Sequence, residues 1–111
     1  AFHEPMEVLA LAGTTLKPQD LTPAKRAELE KTYAEARALW RGVEQNLPDV
    51  KAYQLSEAQQ AQFSKGMADV SAAMTRLSDA LRGSDHAALL KAAAAIKPPF
   101  ARTFTAFGRY T

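Results

Sequence analysis

The chain of 111 residues contains no cysteine and only two histidines. The first absence removes disulfides, thiolate metal sites, covalent haem attachment and cysteine nucleophiles at one stroke. The second leaves two isolated imidazoles among scattered acids, from which no Ser-His-Asp set, no paired carboxylates and no glycine-rich phosphate loop can be assembled. No apolar run approaches the ~20 residues that a membrane span needs. The longest, MEVLALAG and AALLKAAAAI, are broken by Glu7 and Lys91. Nor is there an excess of one charge: 14 Lys and Arg face 12 Asp and Glu, interspersed along the chain. Phosphate backbones select a basic face, so nucleic acid is not the expected partner. An enzyme is not expected either.

What remains is helix. The length suits a single domain over residues 1–111 that buries roughly 65% of its unfolded surface, enough for one core without staples. Three segments carry apolar side chains at a 4-3-4-3-4 spacing, the mark of a helix with one buried seam. The first comprises Leu29, Tyr33, Ala36, Trp40, Val43 and Leu47. Thr22 is its expected N-cap, Pro23 fits the first helical position, and Pro48 ends it. Its flanks, including Arg37, Arg41 and Glu44, read as a solvated side.

The second seam comprises Phe63, Met67, Val70, Met74, Leu77 and Leu81, with Ser56 as N-cap, Glu57 in the first turn and Gly83 as the stop. Between the two, LPDVKAYQL reads as a loop with Val50, Tyr53 and Leu55 tucked beneath it. The third seam comprises Leu89, Ala93, Ile96, Phe100, Thr103 and Phe107, widened by Leu90 and Phe104. Ser84 is its expected cap, Asp85 sits in its first turn, and Gly108 closes it. Its register runs straight through Pro98 and Pro99, which remove two backbone donors and clash with the preceding turn. The helix is therefore kinked or broken there.

Ahead of these lies a short apolar helix, expected from Pro5 to Ala12 with Gly13 as its stop. Val8, Leu9 and Leu11 leave it little polar face, which predicts burial. The fold class is thus all-α: an antiparallel four-helix-bundle-like domain with a short helix and connection in 1–21 and long helices in 22–47, 56–82 and 84–108.

This pattern resembles the cytochrome c′ and haem-b bundle cytochromes of the periplasm. The final stretch AAAAIKPPFARTFTAFGRY sits where cytochrome c′ carries C-x-x-C-H, but no cysteine is present and residues 100–111 hold no histidine. Met6 matches the amino-terminal methionine ligand of the haem-b relatives, and nothing matches their last-helix histidine. The resemblance implies a haem-less member of such bundles, so haem is not an expected cofactor.

The sharpest local motif is Ala1-Phe2-His3. A free amine, two deprotonated amides and an imidazole offer four nitrogens in a plane, which suits Cu(II) or Ni(II). Glu4, Met6 and Glu7 are near enough for an axial contact. A chain starting at Ala1 also fits signal-peptide removal, and a periplasmic or secreted location is expected on that ground.

Weaker candidates have ordinary structural readings. His86 beside Asp85 reads as a surface or capping residue, and Met67 with Met74 reads as core filling rather than a Cu(I) site. Lys97, Arg102 and Arg109 read as a solvated basic face. Trp40, Phe63, Phe100, Phe104 and Phe107, with Tyr33, can line a pocket for a small apolar ligand, although a packed aromatic core is the stronger reading. The expected function is a non-enzymatic binding protein, with Cu(II) or Ni(II) at its free N-terminus as the first expected ligand; the rivals are a homodimeric interaction module and an apolar-ligand carrier. A homodimer follows if the short first helix cannot cover the groove left by three long ones.

Overall fold

A computed structural model describes residues 4–45 and 55–105, and over that range the chain is helical. Five α-helices and one 3-10 turn occur among the described residues, with no strand: α1 (Glu4–Thr15), the 3-10 turn Pro18–Asp20, α2 (Pro23–Gln45), α3 (Glu57–Arg82), α4 (His86–Ala94) and α5 (Lys97–Thr105). The molecule measures 47 × 22 × 20 Å. Its long axis is of the order of α3 itself, whose 26 residues span about 39 Å at 1.5 Å per residue.

The two long seams lie where their spacing puts them. Leu29, Tyr33, Ala36 and Trp40 are buried from α2, with Val43 half-buried. From α3, Phe63, Val70, Met74 and Leu77 are buried, and Met67 and Leu81 pack at the margin. Full burial of side chains this size stabilises by about 1.5–3 kcal/mol each. Both helices also start as expected. The Lys25 N–H donates to the Thr22 hydroxyl at 3.1 Å, and at α3 the Gln59 N–H donates to Ser56 at 3.1 Å while the Ser56 N–H donates to the Gln59 side chain at 2.8 Å. That reciprocal pair satisfies two donors that no helix turn can reach. Leu55 is half-buried; Leu47, Pro48, Val50, Tyr53, Phe107 and Gly108 lie outside the described residues, as does the Phe104 side chain.

Two expectations are corrected, and a third, left open between a kink and a break, is decided. Gly13 does not stop α1, which continues to Thr15. A β-carbon on Gly13 would run into Ala94 N, and would lie 2.5 Å from Leu90 O, so the glycine is where α1 lies directly on the α4 backbone. That contact fixes the rotation of α1. It buries Met6, Leu9 and Ala10 and leaves Val8 and Leu11 at 51% and 62% exposure, against the expectation that this helix is buried all round.

The second correction is small. α4 is capped by Asp85, not Ser84: the Asp85 carboxylate accepts from the Ala88 N–H at 3.0 Å, and the helix begins at His86.

The third resolves the proline pair. The expected long helix over 84–108 is two nine-residue helices, α4 and α5, separated at Ala95 and Ile96. Pro98 and Pro99 have no N–H to return to the carbonyls of Ala94 and Ala95, so the ladder loses two successive bonds there. The chain turns at once, and both prolines fall in the first turn of α5, where a missing N–H removes nothing. The ladder resumes with the Phe100 N–H on the Ile96 carbonyl at 3.2 Å. Because the break is so tight, Leu89, Leu90, Ala93, Ile96, Phe100 and Thr103 all remain buried.

α5 then closes on α3 at a second glycine. Gly66 faces Thr103 so directly that an added β-carbon would collide with the Thr103 hydroxyl and lie 3.0 Å from its Cα. Thr103 is fully buried and satisfies its hydroxyl by donating to the Pro99 carbonyl at 2.7 Å.

Candidate functional site

α2 and α3 meet differently. Long side chains reach across between them: the Tyr33 hydroxyl donates to the Met74 carbonyl at 3.2 Å, and the Trp40 indole N–H donates to Ser71 Oγ at 3.0 Å. At one end the Arg26 guanidinium donates to the Leu81 and Gly83 carbonyls, closing the last turn of α3 with a cation where the helix dipole favours one. These arms hold the helices apart, and a groove of about 320 Å³ remains above them.

The groove has an aromatic floor and polar walls. Trp40 and Tyr33 lie beneath, nearly buried, and Trp40 packs at a tilted 58° on Phe100 with ring centroids 6.1 Å apart. One wall is Arg37, Arg41 and Glu44 of α2; the other is Ser71, Thr75, Ser78, Asp79 and Arg82 of α3. Ser71, Thr75 and Ser78 stand at i, i+4 and i+7, which aligns three hydroxyls on one face beside the buried Val70–Met74–Leu77 seam.

Two of the hydroxyls are engaged. Ser71 donates to the Glu44 carboxylate at 2.9 Å, and Thr75 donates to the Ser71 carbonyl at 3.1 Å. Ser78, half-buried, makes no hydrogen bond among the described residues. Arg82 stands 3.8 Å from Asp79, an exposed and loose pair. Arg37 and Arg41 have no acidic partner among the described residues. Among the described lining residues three arginines stand against Glu44 and Asp79, one positive charge in excess.

A second groove lies between α3 and α5, lined by Gln62, Lys65, Gly66, Asp69 and Arg102 among others. Here the hydrogen bond from Lys65, at 2.9 Å, holds the Asp69 carboxyl below its ordinary value, and the charges of Lys65, Arg102 and Arg76 act in the same sense against partial desolvation. Arg102 is 3.9 Å from the same carboxylate, and its carbonyl accepts from the Gln62 side chain at 2.9 Å.

The residues singled out in the sequence fall into separate places. Ala1, Phe2 and His3 lie outside the described residues, as does Arg109. Trp40, Phe63 and Phe100 are buried, and of these Trp40 borders the α2–α3 groove. Met67 and Met74 pack in the core, and Met6 is buried from α1. The His86 ring nitrogen Nδ1 is 3.4 Å from the Pro18 carbonyl, which ties α4 to the 3-10 turn. Lys97 and Arg102 do not form one cluster: Lys97 pairs with Glu7 at 2.8 Å, and Arg102 faces Asp69. Among the described residues no three His, Asp or Glu side chains converge as a metal site, and no helix is long and apolar enough to cross a membrane.

Sequence reasoning placed Arg37, Arg41 and Glu44 on a solvated side and passed over the serines of α3. The signal was the coincidence of two patterns: arginines at i, i+4 flanking one seam and hydroxyls at i, i+4, i+7 flanking another. No family model matches the chain, and neither a curated protein nor a solved structure matches it.

Proposed function

We propose that the chain is a non-catalytic, antiparallel helical-bundle binding protein that takes a small polar ligand in the groove between α2 and α3. The antiparallel arrangement is supported by the cross-contacts, which pair residue 26 with 81, 33 with 74 and 40 with 71, so numbers rise on one helix as they fall on the other. The reading as a ligand site is carried by one observation: Arg37 and Arg41 line a concave groove without an acidic partner among the described residues. Charged groups in a cleft with an apolar floor are the usual makings of a small-molecule site. Binding rather than catalysis is favoured because the Ser71 and Thr75 hydroxyls are already donating, and among the described residues no histidine lines the groove to activate them.

An amide-resolved NMR screen with a mixed fragment library tests this. Shifts that converge on residues of the two groove walls are expected. Shifts confined to α1 and α5 would move the site elsewhere and sink the reading.

Val8 and Leu11 favour a second reading. They stand exposed on α1, between an apolar groove against Ala94, Pro98 and Ala101 and another against Leu16 and Leu29. A homodimer through this ridge would register in light scattering, and Leu11→Glu would return it to monomer. Copper or nickel binding by Ala1, Phe2 and His3 is independent of both readings. A Cu(II) titration of the chain beside a version extended by one residue decides it, since extension moves the histidine out of the chelate.

A further inference from the structure

We propose that the ligand of the α2–α3 groove is a phosphate-bearing molecule, its phosphate gripped by the paired guanidinium groups of Arg37 and Arg41. This inference rests on the groove being the ligand site.

Four observations carry it. First, the unengaged groups in the groove are donors. Arg37 and Arg41 carry five N–H each, fixed in planar forks that fit tetrahedral oxyanions. Second, the two arginines are one helical turn apart, about 6 Å between their β-carbons. Two forks at that spacing reach different oxygens of one phosphate, whereas a carboxylate is filled by a single fork.

Third, the acidic groups present are accounted for. Glu44, one turn beyond Arg41, is engaged by the Ser71 hydroxyl at 2.9 Å, and Asp79 stands 3.8 Å from Arg82, farther along α3. Fourth, the floor is Trp40 and Tyr33, whose own N–H and O–H are already donating to Ser71 and Met74. It therefore offers an apolar surface beneath the charged grip and does not compete for the phosphate.

Trp40 is the single tryptophan of the chain, so its emission reports on this groove alone. Titration with inorganic phosphate and with pyrophosphate, followed by emission and by calorimetry, is expected to show one-to-one binding that weakens with added salt. Arg37→Gln and Arg41→Gln should each weaken it about tenfold. Both side chains are exposed and without an acidic partner, so these variants should keep the parent melting temperature. Lys97→Gln, on another face, should leave binding unchanged.

The phosphate can come from solution or from a lipid headgroup, and sedimentation with phosphatidylcholine vesicles containing phosphatidic acid separates the two. Binding to vesicles alone, lost with the two arginine variants, supports the proposal with a headgroup as the source. Phosphate binding that ignores both arginine variants overturns it. If neutral or cationic probes shift Trp40 emission and phosphate compounds do not, the phosphate assignment fails while the groove stands. If no probe shifts it, both fail.

Discussion

The contacts of α4 and α5 with their neighbours and the contact of α2 with α3 are built from opposite materials. On one side small residues let backbones meet: Gly13 lies on the α4 chain at Leu90 and Ala94, and Gly66 lies on Thr103 of α5. On the other side Arg26, Tyr33 and Trp40 act as arms that bridge a wider gap. The first arrangement brings the backbones together at each glycine and leaves grooves only alongside the contact, while the second leaves a groove floored by the bridging aromatics themselves. In this chain the site follows from where the side chains are large.

The comparison is most severely tested at Trp40, which is 3% exposed and both packs on Phe100 and hydrogen-bonds to Ser71. Trp40→Ala should lower stability by about 3–5 kcal/mol, measured by chemical denaturation followed by circular dichroism. That is a large share of the stability of an ordinary domain. A loss below that of the glycine variants would mean that the α2 arm contributes little, and that the groove is incidental to the fold.

The close contacts break the other way, by addition. Gly13→Ala and Gly66→Ala each fill a space that is already occupied, so a loss of about 2–3 kcal/mol is expected. Gly13→Ala should be the worse of the two, because the added carbon meets α4 backbone, whereas at Gly66 the foremost obstacle is a threonine side chain. Gly42, also helical, supplies the control: among the described residues nothing beyond its own helix lies within 4 Å of where its β-carbon would be. Gly42→Ala should therefore stabilise by about 0.5–1 kcal/mol through helix propensity alone. The same substitution with opposite signs in one denaturation series would isolate the effect of close packing.

This contrast also explains what could be read from the sequence. The seams of α2 and α3 were legible because a 3.5-residue apolar spacing has one structural meaning over five or six repeats, and their caps because Thr22 and Ser56 stand at the head of it. Gly13 was not, since a glycine that ends a helix and one that admits a neighbouring helix look alike until the neighbour is known. Misreading it also misjudged Val8 and Leu11, whose exposure follows from the rotation that the α1–α4 contact imposes. The proline pair announced a disturbance but not its form; the form depended on whether Ile96 and Phe100 could stay buried across a break, which is a packing question. The groove was hidden for a related reason. Arg37 and Arg41 resemble any solvated flank until Ser71, Thr75 and Ser78 are known to stand opposite.

The smallest effect expected lies at Asp69, where α5 also meets α3 through charge. The Lys65 hydrogen bond, aided by Arg102 and Arg76, holds this carboxyl below its ordinary value in the folded protein. A depressed folded pKa means that the unfolded chain binds the proton more tightly. The contribution is therefore complete above the unfolded carboxylate pKa and is lost as pH falls through the folded one. Side-chain NMR titration of Asp69 should give a midpoint below that of an unstructured aspartate. Lys65→Gln should raise it most and Arg102→Gln less, following the geometry of 2.9 Å against 3.9 Å. Since both cations are well exposed, neither variant should shift the melting temperature measurably at neutral pH. If Arg102→Gln destabilised the protein as much as Gly66→Ala, α5 would be held to α3 by a charged arm after all, and the two halves of the molecule would be built alike.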